Sequence, residues 1–346
     1  MAKIKGIPTS EKEILKECQQ DIQSFEEINK SYNSFNIELE DRREEFFNRL
    51  PDRRAREQKI LNKIRDGKNS KIKEYENKIR EIKARTEEYK KEKKLFLLIS
   101  NYFKIFFQKY VSKPLNLRKI KNSERKQRDN LKMWIEHPEK IFDQQNDDLI
   151  GRINHLKDVM EKPMYAGAQG EIKVLNKLSK LNDNYRVLCG LDIELDDYIS
   201  YEGKKDLKSA QMDFVVVSHK GIFLIEVKNW GNRYASKNTG FSPHEQLDRA
   251  GKVLYVFLKS RLGNGIPLLK KKIEFNGKRL TKVLIPIQGN ISYDSNYKYV
   301  LVSSISEINN FIQDREDVYD QKEVKKITET LKRSIASAWC EYSSIL

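Results

Sequence analysis

Three charged residues lie where the chain is otherwise typical of buried β-strands. Asp213 precedes one run of β-branched and aromatic residues, and Glu226 and Lys228 lie in the next such run. Because side chains alternate along a strand, Glu226 and Lys228 share one face. Carboxylates held close together in a half-buried sheet repel each other unless a proton or a cation lies between them. The cluster therefore indicates a Mg²⁺ site, with Mn²⁺ as the alternative ion, of a kind that suits phosphodiester chemistry.

A short turn is predicted to bring these charges together. Residues 218–221 are typical of a β-hairpin turn between the two apolar runs. Antiparallel counting about this turn pairs Val215 with Leu224 and brings Asp213 opposite Glu226, with Cβ atoms about 5 Å apart. An alternative stays open, in which Asp213 lies at a solvated strand end and Glu226 forms an ordinary ion pair with its neighbouring lysine.

A third acid, Glu171, lies in a predicted helix upstream of the strands. The helical stretch opens at residues 165–171, and Glu171 shares a face with Val174, Leu175 and Leu178 at helical spacing. This position directs the carboxylate toward the buried side of the helix. The alternative is a first-turn charge whose role is to interact favourably with the dipole of its own helix.

The order of these segments resembles the nuclease-related domain, or NERD, family of the PD-(D/E)xK nuclease superfamily. The resemblance covers about residues 163 to 313, and it rests on an ordered set of motifs, which is more specific than any one of them alone. The motifs are Gly167-x-x-Gly170-Glu171, Gln211-x-Asp213, the strand segment 221–229 and a following helix that contains Gln246.

The resemblance implies an α/β fold, a PD-(D/E)xK-like mixed sheet flanked by helices with a core order of αβββαβ. It also implies that a metal ion is held between Asp213 and Glu226, and that Lys228 orients the attacking water. Glu171 would bind the metal ion or support the residues that bind it. Gln246 would contact the metal ligands without binding the ion itself, or would contact the phosphate. All five residues would thus serve catalysis.

The approach to Gln246 departs from the family pattern. Residues 242–245, Ser-Pro-His-Glu, stand where the family often has an Asn-Pro sequence. His244 is a candidate for contact with phosphate, but a single histidine at a helix start is more often structural, since a functional titratable group needs a partner in a cleft. We therefore expect a structural role for His244.

The remaining residues that could do chemistry are too scattered for a second site. The chain has four histidines and three cysteines, and its sequence contains no Walker loop, Ser/His/Asp set or zinc-ligand spacing. An odd number of widely spaced cysteines indicates a reducing compartment. The N-terminal residues lack the apolar core of a signal peptide, so a cytoplasmic location is expected.

Composition changes sharply near residue 162 and predicts three domains. Residues 10–160 contain two glycines and few strand signals, whereas glycines and β-branched runs follow after the change. We expect a helical, basic coiled-coil arm over residues 1–160, a nuclease-like domain over residues 161–318, and a C-terminal helix over residues 319–346 that packs on that domain.

The arm is predicted to contain a pair of long helices. Ser10 and Glu13 have the spacing of a capping box at the start of the first helix, which should end before Pro51. From residue 72 to residue 89, apolar residues and one threonine recur at alternating intervals of three and four, which is coiled-coil spacing. The helices either fold back on each other near residues 50–52 or pair with a second chain, and a homo-oligomer is the expected state.

Positive charge is concentrated in the arm. Residues 51–132 contain 27 Lys and Arg against 11 Asp and Glu, an excess that equals the formal net charge of +16 for the whole chain. Such a segment suits a nucleic acid backbone. Analogy with the family favours DNA over RNA as the substrate. The alternative is an ordinary solvated face of a long helix. The candidate nucleic-acid contacts are Arg53, Arg54, Arg56, Lys93, Lys94, Arg118, Lys119 and Lys121.

Residues 95–107 form the longest apolar stretch, interrupted by Ser100, Asn101 and Lys104. The stretch is shorter than the ~20 residues that span a bilayer. Its basic flanks suit a helix that lies on a membrane surface. Packing against the nuclease-like domain or in an oligomer needs no lipid, and it is the expected role because an apolar patch of this size must be covered.

Three classes of function follow from these features. The first is a Mg²⁺-dependent nuclease in bacterial anti-phage defence or DNA processing, a setting that rests on family analogy. The second is an inactive, nucleic-acid-binding relative of such enzymes, and the third is a coiled-coil scaffold at a membrane surface. The set of three acids and a lysine favours the first class, because an inactive fold has no chemical need for like charges facing a lysine.

Overall fold

The computed structural model describes residues 1–18, 22–229, 242–262, 280–289 and 291–335. The chain forms two compact units. Unit 1 combines Met1–Lys30 with the chain from His155 onward, and unit 2 is Ser31–Asn154. The first 30 residues therefore group with the strand-containing part of the chain, whereas the sequence predicted one helical arm over residues 1–160.

The described residues contain six strands and ten α-helices. The strands are β1 (Lys3–Lys5), β2 (Arg186–Tyr201), β3 (Lys204–Ser218), β4 (Gly221–Asn229), β5 (Leu280–Gln288) and β6 (Val300–Val302). The helices are α1 (Thr9–Glu17), α2 (Phe25–Lys91), α3 (Leu95–Phe107), α4 (Lys113–Glu136), α5 (Pro138–Gln145), α6 (Asp147–Glu161), α7 (Pro163–Leu178), α8 (Pro243–Leu262), α9 (Ile308–Gln313) and α10 (Gln321–Lys332). A π-helical turn, Gln108–Ser112, joins α3 to α4.

Unit 1 is built on a six-stranded mixed sheet with the order β1-β2-β3-β4-β5-β6. Strands β2, β3 and β4 are antiparallel neighbours, whereas β1, β5 and β6 join their neighbours in parallel. Helix α7 precedes the three antiparallel strands, and α8 lies between β4 and β5 along the chain. The predicted α/β fold, a mixed sheet flanked by helices, is confirmed.

The hairpin between β3 and β4 has the predicted register. The pair obtained by counting, Val215 with Leu224, is present, and the ladder continues by one more pair. The next residues along the two strands are Asp213 and Glu226. The turn therefore places the two acids at the point where the described pairing of β3 with β4 ends.

Apolar side chains and helices cover both faces of the sheet. The face that includes Leu224 packs against α8 and α10. The opposite face includes Ile225 and packs against α7 through residues such as Val174. Each fully buried aliphatic or aromatic side chain contributes about 1.5–3 kcal/mol to folding. Because side chains alternate along β4, Glu226 and Lys228 lie on the same face as Leu224, beneath α8.

The N-terminal segment forms the edge of this sheet. Strand β1 pairs in parallel with β2, from Lys3 opposite Arg186, and α1 packs along α7. Gly6 joins β1 to α1 with a φ of +88°, and a Cβ atom there would collide with the carbonyl oxygen of Cys189. A three-residue strand is too short to show an alternating pattern, so the sequence does not predict it.

The predicted capping box of Ser10 and Glu13 is wrong. Helix α1 begins at Thr9, and its N-cap residue, Pro8, makes no side-chain capping bond. The backbone N–H and the hydroxyl of Ser10 both donate to the carboxylate of Glu171 instead. A buried carboxylate that needs hydrogen-bond donors thus takes the place of a local cap.

Helix α2 is 67 residues long and continues through Pro51, so the prediction that the first long helix ends before this proline is wrong. A proline inside a helix removes a backbone hydrogen bond and costs about 3 kcal/mol. Aromatic packing in unit 2 offsets this cost close to the proline: the ring of Phe46 lies 5.4 Å from that of Phe142 in α5 and 5.9 Å from that of Trp134 in α4. The buried side chain of Leu50 adds to the same contact region.

The helical hairpin of unit 2 turns near Lys93, which has a φ of +54°. The turn is therefore not near residues 50–52, its position in one of the two arrangements that the sequence left open. Helix α4 runs back along α2. The Asn116 side chain donates to the Tyr75 hydroxyl at 2.7 Å, and further bonds join earlier residues of α2 to later residues of α4. The coiled-coil spacing in α2 therefore faces a helix of the same chain.

A helix is present in the predicted C-terminal region as α10, and it belongs to unit 1. Its residues Val324, Ile327 and Leu331 belong to the apolar cluster beneath α8. Asp320 and Glu323 form a capping box at its start. The helix ends at Lys332, whereas the sequence predicted that it continues further, and the residues after 335 lie outside the described part of the chain.

Candidate active site

Asp213 lies where β3 and β4 separate, one residue beyond the last pair of their ladder. Its Oδ2 atom accepts a hydrogen bond of 2.8 Å from the backbone N–H of Val227. The carboxylate therefore bridges the two strands and is oriented toward β4. Sequence counting placed Asp213 opposite Glu226, and this hydrogen bond fixes it beside the residue that follows Glu226.

Lys228 connects β4 to α8 across the site. Its Nζ atom lies 2.6 Å from Oε1 of Glu226 and 2.8 Å from Oε1 of Gln246. The ion pair lies almost wholly inside the protein, with 13% of the Lys228 side chain and 5% of the Glu226 side chain exposed. An ordinary pair on a solvated face does not fit this burial. The structure thus brings together three of the residues that the family resemblance implies.

Both carboxylate oxygens of Glu171 are held by Ser10. The Ser10 hydroxyl donates to Oε1 at 2.5 Å, and the Ser10 backbone N–H donates to Oε2 at 3.1 Å. Ser10 is in the first turn of α1, so the carboxylate lies at the positive end of that helix dipole. Glu171 therefore interacts with the dipole of α1. The alternative considered from the sequence was an interaction with the dipole of its own helix, α7.

Burial raises the pKa of Glu171 to about 7. The hydrogen bonds from Ser10 lower the pKa, while the charges of Glu226 and Glu11 raise it further. The contribution of Glu226 shows that the carboxyl on α7 is close enough to respond to the acids on the strands. A carboxyl with this pKa gains and loses its proton near neutral pH, whereas the pKa of an exposed glutamate is about 4.3.

The pKa values of Asp213 and Glu226 are raised as well, chiefly by burial. For Asp213, the charges of Glu226 and Glu171 add to the rise, and the Val227 N–H and the Lys228 ammonium oppose it. For Glu226, the charge and hydrogen bond of Lys228 lower the pKa. The ionised acids destabilise one another, so a bound cation would relieve their repulsion.

Asp213 and Glu226 fit a small divalent cation. Their donor atoms are carboxylate oxygens, and Mg²⁺ is commonly held by one or two carboxylates together with water. Among the residues that the structure describes, no group of three or more His, Cys, Asp and Glu side chains is arranged to hold an ion. Because Glu171 has both oxygens bonded to Ser10, the two strand acids are the better candidates for holding an ion.

The glycines of the motif Gly167-x-x-Gly170-Glu171 allow neighbouring elements to approach α7. A Cβ atom at Gly167 would lie 3.2 Å from the Ser10 Oγ atom, and one at Gly170 would lie 2.9 Å from the Cβ atom of Asn229. Helix α7 can therefore contact α1 at one glycine and the end of β4 at the other. The motif serves to place Glu171 between the N-terminal segment and the strand acids.

Ser10 and Asn229 are residues of this region that sequence reasoning did not assign. The Asn229 Nδ2 atom donates to the carbonyl oxygen of Ala166 at 2.5 Å, and its Oδ1 atom is buried without a hydrogen-bond partner among the described residues. Asn229 ends the strand motif of the family, so its position was a usable signal. Ser10 offered none, because its partner Glu171 is 161 residues away along the chain.

His244 is buried in the first turn of α8, and its ring stacks on that of Tyr297 with centroids 6.4 Å apart. Burial lowers its pKa, which favours the neutral imidazole. Its Nε2 atom is buried and has no hydrogen-bond partner within the described part of the chain. The packing of the ring agrees with the structural role expected from the sequence.

Two of the predicted nucleic-acid contacts hold unit 2 together. Arg54 donates to the backbone carbonyl oxygens of Trp134 and Ile135 at 2.9 and 3.1 Å. Arg53 lies with its guanidinium carbon 5.1 Å from the centroid of the Trp134 ring and pairs with Glu57 at 3.1 Å. These two arginines therefore stabilise the contact between α2 and α4.

The other predicted contacts are exposed on unit 2. Lys94 forms an ion pair of 2.8 Å with Glu92, which at an exposed position contributes little to stability. Binding of nucleic acid by this group stays a prediction. The exposed residues are Arg56, Lys93, Lys94, Arg118, Lys119 and Lys121.

The residues of the candidate site lie within a segment that matches a known family. Residues 166–275, less than half of the chain, match the family model of the nuclease-related domain, NERD. The segment contains Glu171, Asp213, Glu226, Lys228 and Gln246. No curated protein and no solved structure was found to match the chain. The segment that carries the candidate site is therefore similar to the nuclease-related domain, which implies a nuclease-related function for this part of the chain.

Proposed function

We propose that the protein is a Mg²⁺-dependent nuclease that hydrolyses phosphodiester bonds of nucleic acid, with Mn²⁺ as an alternative ion. The observation that carries the proposal is the buried contact of Lys228 with both Glu226 and Gln246, beside Asp213. Perturbed titratable groups cluster at functional sites, and these groups lie within the segment that matches the nuclease-related family.

Asp213 and Glu226 would hold the ion. A divalent ion in such a site polarises a phosphoryl oxygen and lowers the pKa of bound water. The chain contributes by orienting both carboxylates before an ion binds. The Val227 N–H holds one oxygen of Asp213, and the Lys228 ammonium holds one oxygen of Glu226.

Lys228 would act on the substrate as a fixed positive charge. Its ammonium is held between Glu226 and Gln246, so the flexible stem of the lysine is restrained. A compact ammonium group in this position can orient a water molecule for attack or bind a phosphate oxygen as negative charge develops. Loss of one such preorganised donor lowers turnover by about 10²–10³-fold in comparable sites.

Glu171 would support the site through Ser10. The hydrogen bonds between these residues tie α7, which approaches the end of β4 at Gly170, to the N-terminal helix α1. The resemblance implies that Glu171 completes the metal shell. For that role, Ser10 would have to release at least one of the two carboxylate oxygens.

DNA is the proposed substrate in preference to RNA, and bacterial anti-phage defence or DNA processing is the proposed setting. Both statements rest on the family resemblance. The chain supports a nucleic acid substrate through the excess of basic residues between positions 51 and 132. Since Arg53 and Arg54 have structural roles, Arg56, Lys119 and Lys121 are the better residues for testing contact with phosphates.

A second candidate function is a nucleic-acid-binding scaffold with an inactive nuclease fold. It is favoured by the engagement of Glu171 with Ser10 and by the lack, among the described residues, of a cluster of three acids ready to hold an ion. The two candidates differ in one measurable respect. An active enzyme requires Asp213 and Lys228 for turnover, whereas a scaffold has no turnover to lose.

The test incubates the purified chain with plasmid, linear duplex DNA, single-stranded DNA and RNA in Mg²⁺, Mn²⁺ or EDTA. Asp213→Asn removes the charge but keeps an acceptor for the Val227 N–H, and Lys228→Ala removes the ammonium. Lys208→Ala is the matched control, because Lys208 is a lysine of β3 whose ion pair with Glu194 is far more exposed than that of Lys228, at 34% and 69% of the two side chains.

The proposal predicts cleavage that depends on the metal and falls at least about 100-fold in both site variants, with the control unchanged. Cleavage that persists in EDTA, or in either site variant, contradicts the mechanism. Binding of nucleic acid without cleavage of any of the four substrates supports the scaffold.

A further inference from the structure

Helix α3 of unit 2 exposes a nearly continuous apolar face. Phe96, Leu95 and Phe103 are 84%, 71% and 69% exposed. Ile99, Tyr102, Phe106 and Phe107 are exposed as well. Single exposed apolar residues are ordinary, but a contiguous patch of large apolar side chains marks an interaction site.

The exposed residues lie on one side of the helix. Leu95, Ile99, Phe103 and Phe106 follow one another at intervals of four, four and three, which forms a single stripe along a helix. The residue of α3 that is buried is polar, Asn101. The apolar side of α3 therefore faces outward, and the described residues leave it exposed, although sequence reasoning expected it to pack against protein.

Basic residues predominate in the segment that carries this apolar face. Between residues 93 and 123 the chain has eight Lys and Arg residues and no Asp or Glu. Lys93, Lys104 and Lys109, which stand before, within and after the aromatic stretch, are all exposed. This distribution attracts an acidic surface and repels a second copy of the same segment.

The length of α3 limits how it could meet a lipid bilayer. Its 13 residues correspond to about 20 Å of helix, which is shorter than a hydrocarbon core of about 30 Å. No helix in the described part of the chain is both long and apolar enough to cross a membrane. A short helix with an aromatic face and lysine flanks instead suits the boundary between headgroups and acyl chains, with its axis in the membrane plane.

We propose that α3 binds the surface of an anionic lipid bilayer. Phe96, Phe103 and Phe106 insert between the headgroups, and Lys93 and Lys104 contact anionic phosphates. Apolar insertion and electrostatic attraction act together in such binding. The proposal is independent of the nuclease chemistry, because α3 lies outside the segment that matches the NERD family.

The test is co-sedimentation of the purified chain with vesicles of phosphatidylcholine alone or mixed with phosphatidylglycerol. One variant replaces Phe96, Phe103 and Phe106 by serine. The matched control replaces Ile37 and Ile60 by serine, since these residues of α2 are also apolar and 63% and 44% exposed. The wild type and the control should bind the mixed vesicles, and the partition coefficient of the phenylalanine variant should fall about tenfold for each ring removed.

A second variant tests the electrostatic part of the proposal. Lys93→Glu together with Lys104→Glu, and separately added salt, should weaken binding to the mixed vesicles while circular dichroism stays unchanged. Absence of vesicle binding by the wild type, or equal binding by the phenylalanine variant, overturns the proposal. If those three rings are instead required for dimerisation in ultracentrifugation or for binding single-stranded nucleic acid, and the wild type does not bind vesicles, the face belongs to that partner.

Discussion

Glu171→Gln should change the stability of unit 1 in opposite directions at low and high pH. Glu171 is 5% exposed, and burial raises its pKa to about 7, so the folded state favours its protonated form. An acid whose pKa is raised by folding binds its proton more tightly in the folded state. The free energy of unfolding therefore falls as the pH rises from the unfolded pKa through the folded pKa. Glutamine is neutral throughout and has no such dependence.

The expected size follows from two opposing contributions. A rise from the ordinary pKa of 4.5 to about 7 corresponds to about 3 kcal/mol at high pH, at 1.36 kcal/mol per pKa unit. Glutamine keeps one oxygen for Ser10 but presents an amide NH₂ in place of the second acceptor, which costs about 1 kcal/mol. We expect the variant to be about 1 kcal/mol less stable near pH 4 and about 2 kcal/mol more stable near pH 8.5.

The assay is equilibrium unfolding in urea, with EDTA present, at both pH values. A brief deuterium pulse at a common pH, followed by mass spectrometry of β3 and β4 peptides, reports on unit 1 alone. Glu13→Gln is the matched control, because Glu13 is an exposed glutamate on the same helix as Ser10, and it should show no such reversal. An equal change in unfolding free energy at both pH values would refute the view that burial penalises ionised Glu171.

Three further outcomes test the packing around the site and in unit 2. Asp213→Asn should raise the thermal midpoint in EDTA, because it removes a negative charge from a cluster of acids. The variant should also lose the rise in thermal midpoint that Mg²⁺ gives the wild type. A rise with Mg²⁺ as large as that of the wild type would contradict the metal site. Gly170→Ala should destabilise unit 1 by about 1–3 kcal/mol in calorimetry, because its Cβ atom would lie 2.9 Å from that of Asn229, and an unchanged midpoint would show that α7 can shift freely. Arg54→Ala should speed proteolysis of unit 2 whereas Arg56→Ala should not, since only Arg54 has the hydrogen bonds to α4 described above; equal rates would contradict that structural role.

The acids on the strands could be predicted because the contacts that align them are local. The four residues at 218–221 set the register of β3 against β4, and a register determines which side chains lie beside each other. Glu226 and Lys228 are two residues apart on one strand, so their common face also follows from the alternation of side chains. Gln246 is different, because only the order of motifs in the family indicated that its helix would bring it to the site, and its contact with Lys228 was not predicted.

Predictions from local sequence signals failed in unit 2 because contacts with other helices stabilise a structure that those signals disfavour. Proline ordinarily marks the end of a helix, yet α2 continues through Pro51 with aromatic contacts to α4 and α5 beside it. The carbonyl oxygen that Arg54 binds belongs to a residue 80 positions later. A pattern that is analysed along one segment contains no information about a partner so distant in sequence. The end of the helix was therefore misplaced, and the position of the hairpin turn was left undecided.

Ser10 is a residue of the candidate site whose partner is also too distant in sequence to be predicted. Its spacing to Glu13 matches a local cap, but the backbone N–H that Glu13 would bind in such a cap donates to a carboxylate 161 residues away, as does the Ser10 hydroxyl. The N–H groups at an exposed helix start can be satisfied by water, whereas a buried carboxylate loses that option and requires donors from the protein. The N-terminal segment is therefore part of the support of the candidate site. For Glu171 to bind an ion, the hydrogen bonds from Ser10 of α1 to its carboxylate would have to break.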